Sequence, residues 1–367
     1  MNRPTHGGNL AWAAALAGCP PSCILDFSAS INPLGPPSSA IKAIEWGLKD
    51  LISYPDPNYN QLRAALSQLH PTLTPDWIRP GNGSAELLTW AARELSELEE
   101  TILLTPAFSD YQRALKAFDA KVRAYPLLNQ DIINYPHPEG MKIIPPFIPP
   151  PSSLLPIGKT GLLLNNPHNP TGLLLSHKTL LPLLDQFALV VVDEAFMDFL
   201  PPDQQQSLIP VVQDYPNLVI LRSLTKFYSL PGLRLGYCVA HPDRLQRWQQ
   251  WRDPWPVNAL AAAAAIAVVQ DTAFQQQTWN WLPPARSQLF QGLKQLPGLH
   301  PYPSAANFLL VQSQQSSSQL QETLLKHSQI LIRDCLSFPE LGDRYFRVAV
   351  RTEAENQRLL DALQSIL

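Results

Sequence analysis

Only four of the 367 residues are cysteine (Cys19, Cys23, Cys238 and Cys335), and no two form a C-x-x-C pair. Neither a disulfide framework nor a cysteine-based metal site is expected; reduced thiols are, as in a cytoplasmic protein. Charge is sparse too: 16% of residues, 27 Lys+Arg against 30 Asp+Glu, for a net charge of −3. Without a dense basic block, neither a nucleic-acid partner nor an anionic membrane surface is expected. No apolar run reaches the roughly 20 residues of a membrane span; the alanine-rich Ala259 to Val269 is too short. Met1 to Asn9 lacks the basic start and apolar core of a signal peptide.

Proline, by contrast, is abundant, with 38 residues, many of them in Pro145 to Pro156. That stretch fits neither helix nor central strand and reads as an extended surface connection, or as a ligand for a proline-binding module. Hydrophobic residues at 45% place the whole chain among globular proteins, with length enough for two domains.

The chain is organised around Leu218 to Leu221, an apolar run that ends at the polar turn Arg222-Ser223-Leu224-Thr225-Lys226. Arg234 follows eight residues later, before a second apolar run, Leu235 to Ala240. A lysine amine can condense with an aldehyde cofactor while hydroxyls and a guanidinium hold that cofactor's phosphate. Taken alone, a lysine after a strand is more often simply solvated.

The rest of the chain bears on that choice. Further strands are expected at Thr101 to Thr105, Gly161 to Leu164 and Ala188 to Val192, alternating with helical segments. This predicts a mostly parallel sheet covered by helices, with ligands beyond the carboxyl ends of its strands. Phe108, Asn169, Asp193, Ser223, Thr225 and Lys226 all fall just past those ends. Asp193 suits a charge beside a cofactor's ring nitrogen, though a helix-capping role is as ordinary; Asn169 offers an amide N–H or a turn; Phe108 offers a ring face or core packing. The Gly81-Asn82-Gly83-Ser84 turn opens a helix whose N–H groups suit a phosphate. A second α/β unit is expected in the C-terminal part, with strands at Ala306 to Val311, Ile330 to Arg333 and Tyr345 to Arg351. Near the N-terminus, His6-Gly7-Gly8-Asn9 precedes a short helix, Leu10 to Ala17, and then a strand and turn from Leu25 to Gly35. That polar segment reads either as cover for a site or as a plain terminal arm.

Asn169-Pro170-Thr171-Gly172, Asp193-Glu194-Ala195, Ser223-x-Thr225-Lys226 and Arg234-x-Gly236 together resemble the fold-type I pyridoxal-phosphate enzymes of the aspartate aminotransferase superfamily. Within it, His6-Gly7-Gly8-Asn9, the run Asp26 to Gly35 and the run Arg222 to Tyr237 resemble the L-threonine O-3-phosphate decarboxylases of cobalamin biosynthesis, with the histidinol-phosphate aminotransferases as nearest relatives. The resemblance implies an N-terminal arm over residues 1–40, a large cofactor domain over 41–250 and a small domain over 251–367. It makes Lys226 the Schiff-base lysine, Asp193 the partner of the ring nitrogen and Asn169 the contact of the phenolic oxygen. Gly83, Ser84, Ser223, Thr225 and Arg234 would hold the phosphate of pyridoxal 5'-phosphate, with Phe108 on its ring. Tyr54 would reach that phosphate from a partner subunit, implying a homodimer. His6, Gly7, Ser30, Asn169, Arg333 and Arg347 would bind an amino-acid phosphate, and no metal is implied. Two positions depart from the pattern: Phe196 stands where aminotransferases carry a tyrosine, and Ser30 where the decarboxylases carry an asparagine.

Overall fold

A computed structural model describes residues 3–127 and 159–367 of the chain. The proline-rich Pro145 to Pro156 lies outside the described residues. The first strands are β1 (Leu25–Asp26), β2 (Ile78–Gly81), β3 (Glu100–Thr105), β4 (Val122–Pro126), β5 (Thr160–Asn165), β6 (Leu189–Asp193), β7 (Leu218–Ser223) and β8 (Gly236–Ala240). Seven of them form one sheet in the order β2-β8-β7-β6-β5-β3-β4. The run β7-β6-β5-β3-β4 is parallel, while β8 is antiparallel to both β7 and β2. The mostly parallel α/β sheet expected from the sequence is what forms.

The strands read as continuous apolar runs because both faces are covered. Their residues split by alternation: Ile102, Leu162, Val190 and Ile220 enter one core, and Leu103, Leu163, Val191 and Val219 the other. Each such fully buried side chain contributes about 1.5–3 kcal/mol. Helices flank the sheet, among them Ser84–Leu95 and Ser109–Lys116. The helix Ala259–Val269 packs on Ser38–Gly47 and Asn60–Gln68, within the layers of this first sheet.

The C-terminal part builds β9 (Leu299–Pro301), β10 (Phe308–Ser313), β11 (Ile330–Leu331), β12 (Arg333–Asp334) and β13 (Tyr345–Ala349). Four of these make an antiparallel sheet, β12-β13-β10-β9. One expectation is corrected here: Ile330 to Arg333 is not a single strand. β11 pairs in parallel with β1, whereas β12 pairs antiparallel with β13. The carbonyl of Ile332, between them, is taken by Gln321 Nε2 at 2.7 Å, so the chain changes partner there. The pairing of β1 with β11 fastens the N-terminal arm to the C-terminal unit.

Candidate active site

The expected residues gather where β6 and β7 end. Asp193 is the last residue of β6, opposite Asn165 of β5 and Leu221 of β7. Its Oδ1 accepts from the Ala195 N–H at 2.9 Å and its Oδ2 from the Tyr111 hydroxyl at 2.8 Å. Burial pushes the Asp193 carboxyl up, while the Lys226 charge and these donors pull it back toward the ionised form. Lys226 sits in the short helix Leu224–Phe227 that follows β7. Burial lowers its pKa, Asp193 opposes that, and the Arg234 and Arg347 charges lower it further. Its Nζ lies 5.1 Å from the centre of the Phe196 ring, a face that offers it no hydrogen-bond acceptor other than the ring itself.

Beside this pair lies a cradle. Gly83 has φ +79°, and a Cβ there would come within 2.6 Å of Arg234 Nη2. The helix Ser84–Leu95 that it opens has no side-chain cap on its first N–H groups. A Cβ on Gly236 would come within 2.6 Å of both Arg222 O and Ser84 N, so only glycine lets β8 lie against this helix end. Ser223 Oγ and Thr225 Oγ1 are 2.8 Å apart at the adjoining turn. Arg234 itself adopts φ 58°, an uncommon value outside glycine, with its guanidinium turned to Gly83. Uncapped amides, two hydroxyls and a guanidinium fit a phosphate group. A lysine 5 Å above an aromatic face and a carboxylate beside it fit the rest of a pyridoxal phosphate.

A second group lies on the C-terminal side. Arg347 is buried, donates to Asn169 Oδ1 and, at 3.4 Å, to the Ser28 carbonyl, and rests over the Phe308 ring. Burial and the nearby Arg333 lower its pKa to about 10. Arg333 donates to the carbonyls of Pro4 and Thr5 and to Ser337 Oγ, so it ties down the start of the arm. A Cβ on Gly7 would lie 2.3 Å from Ser28 O, which makes that close approach possible only for glycine. His6 then tilts against Phe108, ring centres 5.6 Å apart. Ser30 is buried; its carbonyl accepts from Asn307 Nδ2, and its Oγ has no hydrogen-bond partner.

A scan against family models matches residues 23–363 to the family described as aminotransferase class I and II. The chain belongs to that family. It is 40% identical over 367 residues to a threonine-phosphate decarboxylase of Salmonella typhimurium, covering 99% of this chain and 96% of that one. It is 30% identical to the adenosylcobalamin biosynthesis bifunctional protein CobDQ of Leptospira interrogans, with 100% of this chain matched to 41% of that longer protein. Among solved structures it is similar to the histidinol-phosphate aminotransferase from Clostridium acetobutylicum: TM-score 0.80, 28% identity, 94% of this chain and 99% of that one.

Tyr54 of this class I and II aminotransferase-family chain, expected to serve a partner subunit's site, lies apart from its own chain's cluster. It is 79% exposed and stacks on Trp255, ring centres 4.4 Å apart, hydrogen-bonding to none of the site residues. Conversely, Tyr111 was not expected in the site. A signal was present, since it lies three residues after Phe108, one helical turn on, and meets that ring edge-on at 5.7 Å. Among the described residues, no cluster of three His, Cys, Asp or Glu side chains could hold a metal.

Proposed function

We propose that the protein is a pyridoxal-phosphate-dependent carboxy-lyase that converts L-threonine O-3-phosphate to (R)-1-amino-2-propanol O-2-phosphate and CO2, in cobalamin biosynthesis. One observation carries this reading beyond the family. The N-terminal arm, tied down by Arg333 and Ser28, lays His6 against Phe108. Behind it are two buried guanidiniums: Arg347, whose charge acts on Lys226, and Arg333, whose charge acts on Arg347. That charge suits a substrate with both a carboxylate and a phosphate. The similarity to the Salmonella decarboxylase, spanning nearly the whole chain, supports the same substrate.

Lys226 would hold the cofactor covalently, and Asp193, fixed by Tyr111 and Ala195, would face its ring nitrogen. Gly83, Ser84, Ser223, Thr225 and Arg234 would take its phosphate, Asn169 its phenolic oxygen and Phe108 its ring. When bound, the cofactor supplies an electron sink for whichever bond at the substrate Cα stands perpendicular to its ring. The protein's own contribution is the choice of bond. Arg347, Arg333, Ser30, His6 and Gly7 orient the substrate so that its carboxylate takes that place, and Lys226 Nζ returns a proton to Cα. Phe196, lacking a hydroxyl, gives no hydrogen bond to the phenolic oxygen, in contrast to the tyrosine of the aminotransferases.

The same reading includes a homodimer. Ile41, Trp46, Leu48, Leu51 and Ile52 are exposed, Trp46 by 80% and Ile52 by 93%, next to Tyr54. Such a patch is too apolar to be left in water, and burying it in a second copy would carry Tyr54 to the neighbouring cradle. The arm ends near residue 40, and since the helix Ala259–Val269 packs on helices of the large unit, the small unit begins after that helix and not at residue 250. No helix among the described residues is long and apolar enough to cross a membrane; a cytoplasmic site of action belongs to the same reading.

The second reading, a histidinol-phosphate aminotransferase, rests on the solved neighbour of that name. Giving the loaded protein O-phospho-L-threonine alone, or histidinol phosphate with 2-oxoglutarate, separates the two. Turnover of the first and not the second is expected; the reverse would install the aminotransferase.

A further inference from the structure

The lysine's backbone is held from outside its own element. Leu224–Phe227 is a single turn, too short to fix itself in place. The Lys226 carbonyl accepts from the backbone N–H of Asn32 at 3.1 Å. The next carbonyl, that of Phe227, accepts from Asn32 Nδ2 at 2.9 Å. The other Nδ2 hydrogen goes to Thr278 Oγ1 at 2.8 Å, and Oδ1 accepts from the Leu34 N–H at 3.1 Å. Ser229 Oγ donates in turn to the Asn32 carbonyl at 2.6 Å. Every polar group of Asn32 is engaged, in a side chain only 2% exposed. Three segments distant in sequence thus meet at one carboxamide: the arm, the lysine turn and the helix Thr272–Gln295.

Four residues earlier in the arm stands Ser28. Gly7 packs on its carbonyl, the Gly8 N–H donates to its Oγ at 2.8 Å, and Arg347 donates to its carbonyl. Ser28 to Asn32 is therefore a strap, with the substrate side at one end and the lysine at the other. The lysine end needs two donors and one acceptor on one planar group, which a carboxamide has and a carboxylate of the same size lacks.

We propose that Asn32 is a positioning residue for the Lys226 amine, and that the strap Ser28 to Asn32 couples the seating of the N-terminal arm to the placement of that amine. The inference rests on the reading in which Lys226 carries pyridoxal phosphate and protonates Cα. Fractions of an ångström at Nζ decide which carbon receives the proton. With a slack strap some turnovers, after CO2 has left, would put it on the cofactor's aldehyde-derived carbon instead of Cα. Hydrolysis then leaves the amine on the cofactor as pyridoxamine phosphate, releases the three-carbon phosphate as an aldehyde and stalls the enzyme.

The test compares Asn32→Asp, Asn32→Ala and Thr278→Val with the wild type, each loaded with pyridoxal phosphate. The first readout needs no turnover: the pH midpoint of the absorbance of the lysine-bound cofactor, expected to move by about one unit in both Asn32 variants and by less in Thr278→Val. The second is the share of turnovers of O-phospho-L-threonine that end in pyridoxamine phosphate, expected to rise about tenfold or more, with kcat falling more than KM changes. Wild-type midpoints and wild-type partition in the Asn32 variants would overturn the proposal. If those variants do not fold, Thr278→Val decides by the same two readouts. Were the wild type itself to release no CO2, the decarboxylase reading would fall, and the absorbance midpoints would still judge Asn32.

Discussion

Asp193 ends a strand whose other residues are apolar, so its charge depends on a few close partners. A hydrogen bond to a charged group is worth about 1.5–3 kcal/mol, and the Tyr111 hydroxyl supplies one of them. Tyr111→Phe keeps the ring against Phe108 and removes only that donor. Asp193 then shifts further up, and cofactor affinity measured by equilibrium dialysis should fall roughly ten- to a hundredfold. Equal affinity in the variant would show that Asp193 does not rely on Tyr111. His168 makes a different prediction, about stability. It is fully buried, bonded at Nδ1 to Thr171 Oγ1, and burial lowers its pKa to about 3. The unfolded chain takes up that proton near pH 6.5, so stability is complete above that value and is lost as pH falls toward 3. Between pH 7 and 5 the loss from this one ring is about 2 kcal/mol. Urea unfolding at the two pH values should show His168→Asn losing less than the wild type by about that amount.

At the scale of elements, two glycines do work that no other residue can. Gly83→Ala would place a methyl group 2.6 Å from Arg234 Nη2, at φ +79°, so the cradle must open. Gly7→Ala would meet Ser28 O at 2.3 Å and lift the arm. The first should weaken pyridoxal-phosphate binding about tenfold or more, and the second should raise KM for O-phospho-L-threonine with the cofactor still bound. Absorbance titration and steady-state kinetics separate these effects; identical profiles for the two variants would mean that arm and cradle are not distinct parts. The strands that carry the site were legible because their runs are apolar on both faces, and the polar residue that ends each run marks a strand end. Other elements were not. β4, with alternate residues exposed at the sheet edge, lacks the apolar run that betrays a buried strand. The helix Thr272–Gln295 contains Pro283 and Pro284, which read as breakers, yet tertiary packing of Phe274, Leu282, Leu289 and Leu293 overrides them. The contacts of Asn32, and that of Tyr111 with Asp193, join segments far apart in the chain; the spacing of Tyr111 from Phe108 hints at the site, but no local spacing names these distant partners.

For the whole molecule, the exposed stretch from Ile41 to Tyr54 sets a test of composite sites. Lys226→Ala and Tyr54→Ala proteins should each be impaired; after unfolding and refolding together they should regain about a quarter of wild-type activity, because half the dimers are mixed and each has one intact site. No recovery would mean that Tyr54 does not cross between subunits. The central claim is the bond that breaks, and carboxyl-labelled O-phospho-L-threonine, given to the loaded protein with no keto acid, tests it most directly. The account predicts many labelled CO2 molecules per Lys226 site, with 1-amino-2-propanol O-2-phosphate as the other product. A single conversion of the cofactor to its pyridoxamine form, with the label retained, would contradict it.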